Sequence, residues 1–239
     1  MTTDELRESL LASPKNGYAR ITGEQRTEME DYCKRYMAFM DAAKTEREAT
    51  AWAIAEAEKN GFKPFAPGME VKPGDKIYYN NRDKAIALAV IGTEPLSKGA
   101  NICAAHVDSP RMDLKPNPLY EDSEIAYFKT HYYGGIKKYQ WVTVPLALHG
   151  VVYRKDGSVI TVTIGEDDND PVLMISDLLI HLSADQMQKT AGKVIAGEQL
   201  NVILGTEPIE GEGGGVRLPM GVILSRSRKC RMPGWWKIQ

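Results

Sequence analysis

The sequence predicts an α/β protein: helices and a sheet layer, with a second, β-rich unit at roughly residues 115–205 inserted in or appended to the first. Three observations predict it. The first sixty residues carry helical periodicity, and short, nearly continuous apolar runs then replace it. From Val142 onward the chain reads as strands around a two-residue turn signal.

The elements follow in order. Between Glu24 and Met40, apolar residues recur at Met29, Tyr32, Cys33, Tyr36, Met37 and Met40, the three-and-four spacing of one buried helix face. Thr45 opens a second helix with Glu48 in a capping-box pattern, and Gly61 sits where a helix end tolerates positive φ. Lys63 to Gly74 holds three prolines and two glycines and reads as a connection. Lys76–Asn81 and Ala85–Ile91 read as strands of a hairpin turning at Asn81-Arg82-Asp83, and Asn101–Ala105 as a third short strand ending at His106.

Pro110 to Glu124 is proline-rich and polar, and is read as the exit from the first layer. Val142–Arg154 and Ser158–Glu166 then form a hairpin around Asp156-Gly157. Val172–Leu182 is apolar and fits a short helix or a strand. The expected divisions are 1–114, 115–205 and an atypical tail at 206–239 with clustered glycines, a basic run and a terminal Trp-Trp.

Composition narrows the function classes. The 239 residues are 43% hydrophobic and 26% charged, enough for a sizeable core. Thirty basic against 32 acidic side chains leave −2, with no basic surface suited to nucleic acid or an anionic membrane. No run reaches a membrane span, and the N-terminus lacks the basic start and long apolar stretch of a signal peptide. Cys33, Cys103 and Cys230 form no CxxC, so neither a disulfide framework nor a cysteine zinc site is indicated. A cytoplasmic protein is expected.

His106-Val107-Asp108 is the most informative tripeptide. A histidine ending an inner strand stands where open α/β sheets place ligands. On extended backbone Asp108 faces the same side and can fix the ring by accepting its second N–H. HxD alone is weak, and spacing by itself favours a hydrogen-bonded structural histidine over a metal ligand. His131 lies in a polar, aromatic, glycine-bearing stretch that reads as a binding loop or a tight turn. His149 reads as structurally hydrogen-bonded, and His181, in an apolar run, as a satisfied core histidine. Asp167, Asp168 and Asp170 lack the glycine and distal glutamate of a calcium loop and read as a hairpin tip. The cluster Tyr120, Tyr127, Phe128, Tyr132, Tyr133, Tyr139 and Trp141 reads as core or interface rather than a stacking platform. GxGxxG, Walker A, GxSxG and HExxH are absent, removing dinucleotide, NTPase, esterase and zincin readings.

At Ala104–Glu121 (AAHVDSPRMDLKPNPLYE) and Thr130–Trp141 (THYYGGIKKYQW) the chain resembles the M18 family of metalloaminopeptidases, the aspartyl aminopeptidase group. Pro145–Gly157, Leu178–Gln186 and Gly197–Pro208 continue the likeness in order. The resemblance implies a metallopeptidase-type mixed sheet with flanking helices, incomplete here, and an inserted β-rich dimerisation domain. It implies a zinc-dependent hydrolase with two divalent ions, acting on peptides with a free N-terminus, often an acidic one, and assembled as a homo-oligomer. By that resemblance His106 is a metal ligand, Asp108 orients it, and His181 is the histidine lent to a neighbouring subunit's active site, which reverses the core reading.

The chain also departs from the family. The bridging aspartate, the paired glutamates and the other ligands of full-length members lie downstream of the inserted domain, and this sequence carries none of them. One histidine cannot hold a catalytic zinc, which takes three protein ligands. The tail suggests truncation by a frameshift near codon 209. Two readings stand: an aminopeptidase by descent that is inactive alone, or a non-catalytic dimerisation and interaction fragment.

Overall fold

The computed structural model describes residues 2–12 and 14–208 together with three short tail strands, Gly215–Arg217, Ile223–Ser225 and Lys237–Ile238. The rest of the tail, and Cys230 with it, lies outside the described residues. The chain forms two compact units, residues 1–43 and 44–239.

The first unit holds helices α1 (Thr3–Leu10) and α2 (Gly23–Ala42). Each starts with a reciprocal capping box, Thr2 with Glu5 and Thr22 with Gln25, which satisfies otherwise orphaned N–H groups. The expected α2 exists, but its expected burial does not. Tyr32, Tyr36, Met37 and Met40 are 62%, 54%, 58% and 50% exposed. Periodicity specifies the helix and its stripe, whereas burial needs a facing surface, and the described part of this unit has no buried residue.

The second unit opens with α3 (Glu46–Lys59). Thr45 caps it, accepting from the Glu48 N–H at 3.3 Å while its own N–H donates to Glu48 Oε2 at 2.8 Å. Strands β1 (Lys63–Pro64), β2 (Lys76–Asn81) and β3 (Ala85–Val90) form a sheet in that order. β1 runs parallel to β2, and β2–β3 is the expected hairpin. Arg82 and Asp83 both have positive φ, and the Lys84 N–H donates to the Asn81 carbonyl at 3.1 Å, the tight turn that matches strand twist. Buried Tyr78 donates to Glu58 of α3 at 2.7 Å, tying sheet to helix.

Two expectations are corrected here. Residues 101–110 form no strand; Ile102 is 87% exposed. β3 is the edge of its sheet, and an apolar run without a partner ladder cannot hold strand geometry. The proline-rich segment taken as an exit is instead a long strand, β4 (Arg111–Asp122), paired with β5 (Ile125–Tyr133). Its ladder breaks between Leu114 and Leu119, so Pro116 and Pro118 fall where no ladder N–H is required. Ser123 and Glu124, both at positive φ, turn the hairpin.

β5 pairs onward with β8 (Val202–Gly205), and β6 (Leu148–Tyr153) with β7 (Val159–Ile164). The two-residue strand Lys237–Ile238 lies between β6 and β4, making one antiparallel sheet of six strands. The β6–β7 hairpin turns at Asp156-Gly157 as expected, with Gly157 at φ 84°. Alternate residues of β4 and β5, Met112, Leu114, Ala126 and Phe128, meet Leu148, Ile175, Leu200 and Val202 in the core. Buried Thr130 donates to the Leu200 carbonyl. Val172–Leu182 is neither helix nor strand throughout: Leu173 and Met174 make single bridges, and Ile180–Leu182 is a 3₁₀ turn before the short helix α4 (Ala184–Met187). Among the described residues no helix is long and apolar enough to cross a membrane.

Candidate functional site

His106 and Asp108 lie in the exposed segment that leads into β4. The His106 side chain is 81% exposed, yet its ring is held. Nδ1 lies 2.7 Å from the Asp108 carbonyl oxygen and 3.1 Å from Asp108 Oδ1. Both oxygens only accept, so these hydrogen bonds place a proton on Nδ1, and among the described residues no hydrogen bond engages Nε2. That is the state in which a histidine can ligate a metal through Nε2.

The other Asp108 oxygen is also engaged. Tyr133, the last residue of β5, donates its hydroxyl to Asp108 Oδ2 at 2.7 Å. That hydrogen bond is the first cause holding the Asp108 carboxyl below its ordinary range, and it pushes the Tyr133 hydroxyl above its own. The Tyr133 ring lies under the Arg111 guanidinium, 4.1 Å from its centroid. Arg111 is buried, and it pairs with Glu46 of α3 at 3.2 Å and Asp113 of β4 at 2.9 Å. Its Nη1 donates to the Ser109 carbonyl at 3.2 Å. Neither Arg111 nor Tyr133 stood out in the sequence as a site residue, because no spacing rule links positions 25 residues apart across a bulged hairpin.

The remaining histidines divide. His149 is buried, its Nδ1 2.8 Å from Glu48 and its Nε2 2.9 Å from Glu166, so the structural reading agrees with the structure. His131 stands on β5, exposed, its ring stacked beside Tyr132 at 5.8 Å. His181 is not a core histidine: its turn is exposed, with Leu178, Leu179, Ile180 and Leu182 at 54%, 71%, 67% and 71%. Among the described residues no hydrogen bond or ion pair joins His181 to His106 or Asp108. Asp167 and Asp170 close their own turn, accepting backbone N–H groups of Asn169, Gly165 and Asp167.

His106 therefore suits one metal bond, but among the described residues no three His, Cys, Asp or Glu side chains gather to hold an ion. The described residues do not by themselves build a zinc site, which needs three protein ligands.

Comparison with known proteins gives this geometry its context. A probable M18 family aminopeptidase 1 of Clostridium acetobutylicum is 49% identical over 205 residues, 84% of this chain and 44% of the relative. A second, of Thermotoga neapolitana, is 47% identical over 187 residues, 78% of this chain and 41% of the relative. The crystal structure of an M18 family aminopeptidase from Thermotoga maritima matches with a TM-score of 0.75 at 42% identity, covering 84% of this chain and 44% of that one. That of aminopeptidase I from Clostridium acetobutylicum matches with a TM-score of 0.70 at 46% identity, covering 85% and 44%. The chain thus spans less than half the length of these relatives. The model of the family described as aminopeptidase I zinc metalloprotease (M18) matches residues 39–216. On that match and those identities, the chain belongs to the M18 family of zinc metalloproteases.

Proposed function

We propose that this chain carries one part of a zinc-dependent aminopeptidase site and does not catalyse by itself. In this reading His106 is a metal ligand through Nε2 and Asp108 the residue that orients it. His181 serves the active site of a neighbouring subunit. The observation that carries it is the Nδ1-held, Nε2-free His106 in a chain of this family. Two divalent ions, hydrolysis of the N-terminal peptide bond and a preference for acidic residues rest on the family resemblance. Release of N-terminal Asp or Glu from a peptide, with zinc supplied, is the test. No release is expected from the purified chain, and rapid metal-dependent release overturns the inactive part.

One observation favours the second reading, a dimerisation and interaction unit at 115–205. Leu179, Ile180 and Leu182 in the turn and Met187 in the short helix after it are exposed at 71%, 67%, 71% and 67%, apolar side chains of the kind an interface covers. Light scattering should then report a homo-oligomer, and a monomer at all concentrations overturns this reading.

A further inference from the structure

We propose that Tyr133 is a positioning residue for His106: through Asp108 it selects the imidazole tautomer whose Nε2 lone pair faces outward. The inference rests on the reading of His106 as a ligand and adds a residue that the reading lacks.

The segment 101–110 has no strand ladder, so backbone pairing does not fix Asp108. Side-chain bonds do. Tyr133 donates to Oδ2 at 2.7 Å, which leaves Oδ1 turned to His106 Nδ1 at 3.1 Å. A carboxylate held by one oxygen loses its free rotation, and its second oxygen keeps a single direction. Tyr133 is itself braced by Arg111. Its ring lies 4.1 Å from the buried Arg111 guanidinium, which Glu46 of α3 and Asp113 of β4 hold at 3.2 and 2.9 Å. The order Glu46, Arg111, Tyr133, Asp108, His106 thus runs from a helix start to an exposed ring by direct contacts. Gly134, at φ 76°, turns the chain directly after Tyr133, and a Cβ there would touch Pro110 of the His106 segment at 3.5 Å.

The experiment reads the tautomer and not activity. Long-range proton–nitrogen spectra of the nitrogen-15-labelled chain at about pH 8.5, where an ordinary ring is neutral, report the two His106 nitrogens separately. In the unaltered chain Nδ1 should carry the proton. Tyr133→Phe keeps the ring under Arg111 and removes only the hydroxyl, and Tyr133 is 40% exposed, so packing is little changed. It should shift the tautomer ratio toward Nε2–H on the order of fivefold, about the net contribution of one ordinary hydrogen bond. A merely structural role would leave both nitrogens unmoved. Asp108→Ala should move them at least as far. If Asp108→Ala moves them and Tyr133→Phe does not, the proposal is overturned. It is overturned equally if neither does, because the backbone carbonyl then holds the ring alone. Zinc added to the same samples tests the underlying reading: failure to perturb His106 Nε2 sinks the ligand role while leaving the tautomer result standing.

Discussion

His149 of β6 is bonded to Glu48 in the first turn of α3 across 101 residues of sequence, Nδ1 to Oε1 at 2.8 Å. Its other nitrogen meets Glu166 at 2.9 Å. Facing two acceptors, the ring donates to both when it is protonated, and the imidazolium then joins helix to sheet inside the second unit. The Glu48 hydrogen bond comes first in raising the His149 pKa, with desolvation opposing it. Burial pushes Glu48 up, but the hydrogen bonds from His149 and Thr45 leave it below its ordinary value.

Stability should therefore depend on pH through this pair. His149 has a raised folded-state pKa, so its contribution is full below the ordinary imidazole value of about 6.5 and is lost as pH rises through the folded value. Glu48 is depressed, so its contribution is present above its ordinary value and is lost as pH falls through the folded one. His149→Gln should cost about 1–3 kcal/mol at pH near 6 and less near pH 9. Urea denaturation of both forms at the two pH values checks it, and an equal gap at both would refute the linkage.

Thr45→Ala should destabilise by about 1 kcal/mol, because the α3 N-terminus loses its cap and Glu48 loses the Thr45 hydroxyl as a donor. Thr45→Ser should retain most of it. Thermal midpoints of the three forms give the comparison.

Gly165→Ala should be costly, of order 1–3 kcal/mol. Gly165 has φ 98°, and a Cβ there would stand 2.9 Å from the Leu146 carbonyl oxygen, with backbone that cannot swing away. Gly157→Ala shares the positive φ but meets nothing within 4 Å, so its cost should be smaller, about 1 kcal/mol. Denaturant midpoints in the opposite order would show that the tight approach at Gly165 is relieved in solution.

Phe128→Ala should cost about 3–5 kcal/mol, since Phe128 is 2% exposed at the centre of the β4–β5–β8 core. Tyr32→Ala on the exposed stripe of α2 should cost far less. Equal losses would mean that the stripe is covered in solution.

Much of this was readable from local pattern. α2 and α3 and the β2–β3 and β6–β7 hairpins follow from short-range signals: capping residues, period and turn dipeptides. β4 was hidden because Pro116 and Pro118 look like breakers until the ladder gap between Leu114 and Leu119 shows where they sit. The strand expected at 101–105 failed for the converse reason, since an apolar run says nothing of whether a neighbour exists to pair with it.

The same division holds at the site. His106-Val107-Asp108 set the histidine and its acceptor two residues apart, and sequence alone determined that they could meet. That Tyr133 takes the second Asp108 oxygen, and that Arg111 braces Tyr133 from Glu46, was decided only by the tertiary structure. The physical reason is range. Caps, turns and HxD contacts act over a few residues of one backbone, where geometry follows from the sequence order. The contact of Tyr133 with Asp108 depends on the bulged register of β4 on β5, and that of Arg111 with Glu46 on how α3 sits beside β4. Neither is written in any local spacing.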